Sequence, residues 1–131
     1  MKVITQPLLD KLSISASVIC AMHCAAMPIL LVLFPTLSFL PSDDHEFHQA
    51  LIWLIVPLSL IAGFMGCHKH KKTHILICII TSLILLVITA IFAHEIVGEA
   101  GEKILTVFAT AMLTIAHWKN YRQCRKKNCA H

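Results

Sequence analysis

Charge is scarce in this sequence. Asp, Glu, Lys and Arg make up only 14% of its 131 residues, where an ordinary soluble domain carries about 25%. Hydrophobic residues make up 57%, and the mean hydropathy is +0.76. A soluble chain this short could not bury so much apolar surface, because small domains leave a large fraction exposed. A free-standing soluble enzyme is therefore excluded. So is disorder, which requires low hydrophobicity and high charge. There is no ATP-binding motif, no haem-attachment motif, no low-complexity segment and no separate soluble domain. The formal net charge is +4, but the basic residues sit in short connecting segments. No basic folded face is available for phosphates, so nucleic acid is not an expected partner.

The length fits one domain, residues 1–131. A bilayer core needs about 20 mostly apolar residues per helix, and four stretches approach that length. They run over about 12–40, 47–66, 75–93 and 104–118. Pro28 and Pro35 interrupt the first, which membrane helices tolerate when neighbours satisfy the freed carbonyls. The fourth is short and is expected to extend beyond its apolar part. The apolar run of the first stretch continues far past a signal-peptide core, with no small-residue cleavage site, so the N-terminus is expected to be retained. The expected fold class is all-α: an integral membrane four-helix bundle whose partner is the lipid bilayer.

The charges are sorted by side. Lys2 and Lys11 precede the first stretch. Lys69, Lys71 and Lys72 follow the second, and Lys119, Arg122, Arg125, Lys126 and Lys127 follow the fourth. Only Lys103 lies opposite. Asp43, Asp44, Glu46, Glu95, Glu99 and Glu102 occupy the other side, leaving Asp10 as the exception among the seven acids. The positive-inside rule then places both termini and the basic 119–131 tail in the cytoplasm, in an inner-membrane type of topology.

Six Cys and nine His are many for so short a chain. Cys20, His23 and Cys24 lie at i, i+3 and i+4 inside the first apolar stretch, so they share one helix face, with Met27 a turn beyond. Two thiolates would cancel the charge of a divalent ion, which lowers the cost of holding it in a bilayer. Thiolate and thioether sulfurs suit soft and borderline metals. The competing reading is packing, because a thiol is also a common small buried hydrophobe. On the acidic side, His45 and His48 accompany the carboxylates, and His94-Glu95 sits at the end of the third stretch. A solvated acidic loop is the plain alternative there. On the basic side, Cys67, His68 and His70 form a short Cys/His tract. Cys124 and Cys129 form a C-x4-C pair among Lys and Arg, which lower a thiol pKa. His117 lies near the inner end of the fourth stretch, beside Trp118, an interface anchor. It is placed either to complete the Cys20/His23/Cys24 set or to snorkel. Cys78 reads as packing.

On these residues the chain resembles the MerC family of small inner-membrane mercury-transport proteins. Cys24-Ala25-Ala26-Met27-Pro28 is similar to that family's Cys-x-x-Cys followed by proline, with Met27 standing where the second cysteine would be. Cys124 and Cys129 match its C-terminal C-x4-C. His117, Asn120, Arg122 and Cys124, together with His94-Glu95 and Gly98-Glu99, are similar to the pattern of broader MerC-domain proteins. The resemblance implies uptake of a metal ion as cargo, with no permanently bound cofactor and no enzymatic reaction. Hg2+ follows from the family. Zn2+ follows from the mixed Cys-x-x-His-Cys ligand set, which suits a borderline ion.

The expected metal ligands are Cys20, His23, Cys24, His94, Glu95, His117, Cys124 and Cys129, with a cytosolic metal acceptor and a homo-oligomer as further expected partners. Three other readings compete. A thiol-redox enzyme would need a cysteine pair on the acidic side, where there is none. A haem protein could use His23, His94 or His117 as axial ligands. A non-transporting accessory subunit needs no site.

Overall fold

The computed structural model describes residues 6–35 and 44–126, and no strand occurs among them. Helix α1 spans Gln6–Leu33 and α2 Asp44–His70. Helix α3, Thr73–Ile88, continues through a π-helical turn at Thr89–Ala93 into α4, His94–Lys126. The first helix begins earlier than the apolar stretch suggests, because Asp10 is drawn into the interior rather than left in water. It runs straight through Pro28 and ends ahead of Pro35, whose ring disfavours helical geometry in the residue before it. Between α2 and α3, Lys71 adopts a left-handed φ of 56° and its N–H donates to the Cys67 carbonyl at 2.8 Å, closing the helix end.

Three stretches are long and apolar enough to cross a membrane: Pro7–Leu30, Gln49–His68 and Thr73–Lys126. The expected spans 75–93 and 104–118 both fall in the last of these, where an acidic loop was expected between them. The acidic segment is helical on both sides, and its one departure from helical geometry is Gly98, with φ 72° and ψ 179°. Glycine alone adopts this left-handed conformation without a Cβ penalty.

The distribution of polarity is inverted relative to a soluble domain. Trp53, Ile61, Phe64, Ile77, Ile84, Phe108 and Ile115 are exposed on the outside. Asp10, Ser13, Ser17, Ser59, Thr110, His117 and Asn120 are buried inside. Water would penalise this arrangement, whereas a hydrocarbon solvent rewards it. Helix α4 packs against both α1 and α3, and α2 lies against α1 and α3. Two glycines of α2 allow the close approaches. A Cβ on Gly66 would collide with the Asn120 amide, and one on Gly63 would meet the Ile79 and Leu76 methyls at 3.2 Å. The first obstacle is a buried, hydrogen-bonded group, and the second is the far end of flexible side chains.

Gly66→Ala is therefore expected to cost about 1–3 kcal/mol, the usual range for overpacking, and Gly63→Ala less. Unfolding in mixed micelles checks the order. A Gly66→Ala variant as stable as the parent would contradict this packing.

Candidate metal site

Two antiparallel seams meet along the α1–α4 interface. On α1, Asp10, Ser13, Ser17, Cys20 and Cys24 alternate three and four residues apart, which keeps them on one face. All five are buried. On α4, Thr106, Thr110, Leu113, His117, Asn120 and Cys124 repeat the same spacing and are also buried. The register is fixed at the basic end, where the Lys11 ammonium lies 5.7 Å from the Tyr121 ring centroid. At the acidic end, Cys24 of α1 shares a groove with Lys103, Ile104 and Val107 of α4.

The strongest contact in the interior joins three helices. His117 Nδ1 donates to Asp10 Oδ1 at 2.9 Å. The Asn120 amide nitrogen donates to both Asp10 carboxylate oxygens at 3.0 Å and to the Ala62 carbonyl of α2 at 3.2 Å. Asp10, His117 and Asn120 are all at 0% exposure. A buried carboxylate is costly unless hydrogen-bonded, and here the amide and the imidazole supply the donors. The other ring nitrogen, Nε2, is buried and has no hydrogen-bond partner among the described residues.

The sequence singles out His117 but passes over Asp10, because the first apolar stretch starts after it. The available signal was that Asp10 is the lone acid on the basic side, in register with Ser13, Ser17, Cys20 and Cys24. His117 does not complete the Cys20/His23/Cys24 set. It is committed to Asp10, ten residues and roughly 15 Å of helix from Cys20.

Cys20 and Cys24 are both buried, one helical turn apart on the same face of α1. His23 and Met27 are half-buried on the neighbouring flank. Among the described residues, no three His, Cys, Asp or Glu side chains gather to hold one metal ion. Cys24 also lines a groove of about 620 Å³ with Ala25, Pro28, Glu99, Lys103 and Val107.

At that end the expected His94-Glu95 pair is not a unit, since adjacent helical residues do not face each other. His94 Nδ1 instead meets Glu102 Oε2 at 3.1 Å across the Gly98 break, and Glu95 is exposed. Lys103 donates to Glu99 at 2.6 Å. That hydrogen bond and the ammonium's charge hold the Glu99 carboxyl below its ordinary range. Cys124 is buried at the basic end of the α4 seam. Its expected partner Cys129 lies outside the described residues, as do the side chains of His45, His48 and His70. Cys67 is half-buried and His68 exposed, both beside a groove with Phe64, Met65 and Leu76. Cys78, read from sequence as packing, is exposed on the apolar exterior.

Two measurements follow. Asn120→Ala removes hydrogen bonds to two helices and is expected to cost about 1–2 kcal/mol, since interhelical bonds in membranes average about 0.6 kcal/mol each. Unfolding in mixed micelles reads it, and no loss would contradict the junction. Because the Glu99 pKa is lowered, the Lys103 contact stabilises the α3–α4 turn at neutral pH. The contact is lost as pH falls through that lowered value. A carboxyl NMR titration of Glu99 should shift to higher pH in Lys103→Gln, and an unchanged midpoint would contradict the pairing.

No curated protein and no solved structure matches this chain. A family model does, over residues 10–122, and it is described as MerC mercury resistance protein. The matched segment begins at Asp10 and takes in the thiol pair, the Asp10–His117–Asn120 junction and most of α4. On that match, which covers most of the chain, the protein belongs to the MerC family.

Proposed function

We propose that this protein carries mercuric ion across the inner membrane into the cytoplasm. The buried Cys20–Cys24 pair is the intramembrane binding site, and the Cys124 and Cys129 thiols are the inner acceptors. The observation that supports this most is the pair itself: two buried thiols one turn apart on the inner face of an apolar helix, in a MerC-family chain. A two-sulfur site suits a soft ion that favours near-linear coordination. Zinc would call for about four donors, so the donor set favours mercury over zinc.

Topology follows from length and charge. At 1.5 Å per residue, the 54 residues of Thr73–Lys126 would reach roughly 80 Å, far beyond a core of about 30 Å. The left-handed Gly98 divides the stretch into two crossings. The chain then crosses four times, with the basic segments and both termini in the cytoplasm. The ion approaches through the groove beside Glu99 and Lys103. The two thiolates neutralise it there, removing most of the cost of a bare cation in hydrocarbon. Ligand exchange passes it to the tail thiols and onward to a cytosolic acceptor. His94 and Glu102 gather cations weakly at the outer surface. Four short helices enclose little volume, which makes a homo-oligomer the working unit.

Uptake of radiolabelled Hg2+ into proteoliposomes checks this reading. Cys20→Ser/Cys24→Ser should fall to the leak of protein-free vesicles, and Cys124→Ser/Cys129→Ser should slow delivery to a thiol trapped inside. Wild-type uptake by the Cys20/Cys24 variant would overturn it.

A further inference from the structure

The interior holds a second group of polar atoms that the thiol pair does not use. Ser13 Oγ, Ser17 Oγ, Ser59 Oγ and His117 Nε2 are buried without a hydrogen-bond partner among the described residues. Native proteins leave few such groups, and each calls for an explanation. Elsewhere in the bundle, hydroxyls satisfy themselves on their own helix. Ser82 donates to the Cys78 carbonyl at 2.8 Å, and Thr110 to the Thr106 carbonyl at 2.7 Å. Ser13, Ser17 and Ser59 do not, so their hydroxyls are left for another partner.

Their places in the fold coincide. Asp10, Asn120 and Ala62 are tied in one layer by the hydrogen bonds of the junction. Moving one turn toward the acidic end gives Ser13 on α1, His117 on α4 and Ser59 on α2. Each is three residues from its partner in the junction, and all are at 0% exposure. Ser17 is one turn further along α1, toward Cys20. Three helices thus bring one imidazole nitrogen and two hydroxyls into the same layer, with a third hydroxyl leading to the thiols. Asp10 holds the other ring nitrogen at 2.9 Å. A carboxylate on the far nitrogen is the arrangement that orients metal-binding histidines and raises their basicity.

We propose that His117 Nε2, Ser13 and Ser59 form a second, nitrogen- and oxygen-donor cation site, a transit station between the Cys20–Cys24 pair and Cys124. This rests on the transport reading above and adds a station to it. Ser13 is seven residues from Cys20, and Cys124 seven from His117, so each leg covers roughly 10 Å of helix. Direct exchange between the two thiol sites would have to span both legs at once. Nitrogen and hydroxyl oxygen hold a soft divalent ion less tightly than thiolate. That is what an intermediate station requires, since an ion must leave as readily as it arrives. Asp10 supplies the compensating negative charge without itself binding the ion.

Cadmium NMR with 113Cd2+ as the probe tests this, because thiolate-bound cadmium resonates far downfield of nitrogen- and oxygen-bound cadmium. The loaded wild-type protein should show both signals. His117→Gln should lose the upfield signal and keep the downfield one. Asp10→Asn should weaken the upfield site roughly 10–100-fold, the usual effect of removing such a carboxylate. Ser13→Ala/Ser59→Ala removes two partnerless hydroxyls without disturbing the junction. It should weaken the upfield site several-fold while leaving the unfolding midpoint unchanged or higher, so it decides the matter even where His117→Gln unfolds. The proposal is overturned if wild type lacks the upfield signal, if that signal survives His117→Gln, or if the serine variant binds cadmium unchanged, as it would were these atoms to hold only water. Cys20→Ser/Cys24→Ser, made in a Cys124→Ser/Cys129→Ser background so that the tail thiols give no thiolate signal, separates the two claims. Loss of only the downfield signal supports both sites, whereas its persistence defeats the thiol reading and leaves this one standing.

Discussion

The Asp10 carboxylate is the point on which the interior turns. It is a fully buried acid in a chain with few charges, and Asn120 and His117 donate to it there. Those two donors come from the far end of the sequence, so the pairing clamps the start of α1 onto the end of α4. Asn120 then reaches the Ala62 carbonyl, and the missing side chain of Gly66 leaves room for it. In hydrocarbon there is little hydrophobic drive to bring helices together, so small residues and polar contacts of this kind set how they pack.

Once that contact is made, the remaining seam follows by helical repeat. Asp10, Ser13, Ser17, Cys20 and Cys24 fall in line because they recur every three or four residues. The α4 seam runs against them in antiparallel register. The thiol pair lies at one end of this polar line and Cys124 at the other. Apolar side chains are left to the outside, where Trp53 is 79% exposed. The same geometry that holds the helices together therefore lays a series of donors through the interior, and the proposed passage of a metal ion uses it from end to end.

Much of this was legible in the sequence. Long apolar stretches announce membrane helices, and among the described residues the structure has three helical stretches long and apolar enough to cross. The i, i+3, i+4 placement of Cys20, His23 and Cys24 predicts one shared helix face, and α1 buries Cys20 and Cys24 while leaving His23 half-buried. The MerC resemblance is met by the family match over 10–122. What stayed hidden depends on contacts between distant residues. Asp10 looked like a flanking charge because hydropathy alone does not say which end residues are drawn inside. The His94-Glu95 neighbours looked like a pair because proximity in sequence was taken for proximity in space. The helix instead turns them apart and the Gly98 break brings Glu102 to His94. The helical backbone on either side of Gly98 also escaped the sequence, since an acidic segment reads as a loop whether or not its backbone is helical. The register that sets Ser59 of α2 beside the α1–α4 seam is a property of tertiary packing and has no local signature.

The central claim is that one mercuric ion binds between Cys20 and Cys24 inside the membrane. X-ray absorption at the mercury edge tests it most directly, on protein loaded with a single equivalent of Hg2+. The account predicts a two-sulfur shell that is lost or reduced to mixed donors in Cys20→Ser/Cys24→Ser and is unaffected by Cys124→Ser/Cys129→Ser. A two-sulfur shell that persists without Cys20 and Cys24, or vanishes with the tail thiols, would contradict it.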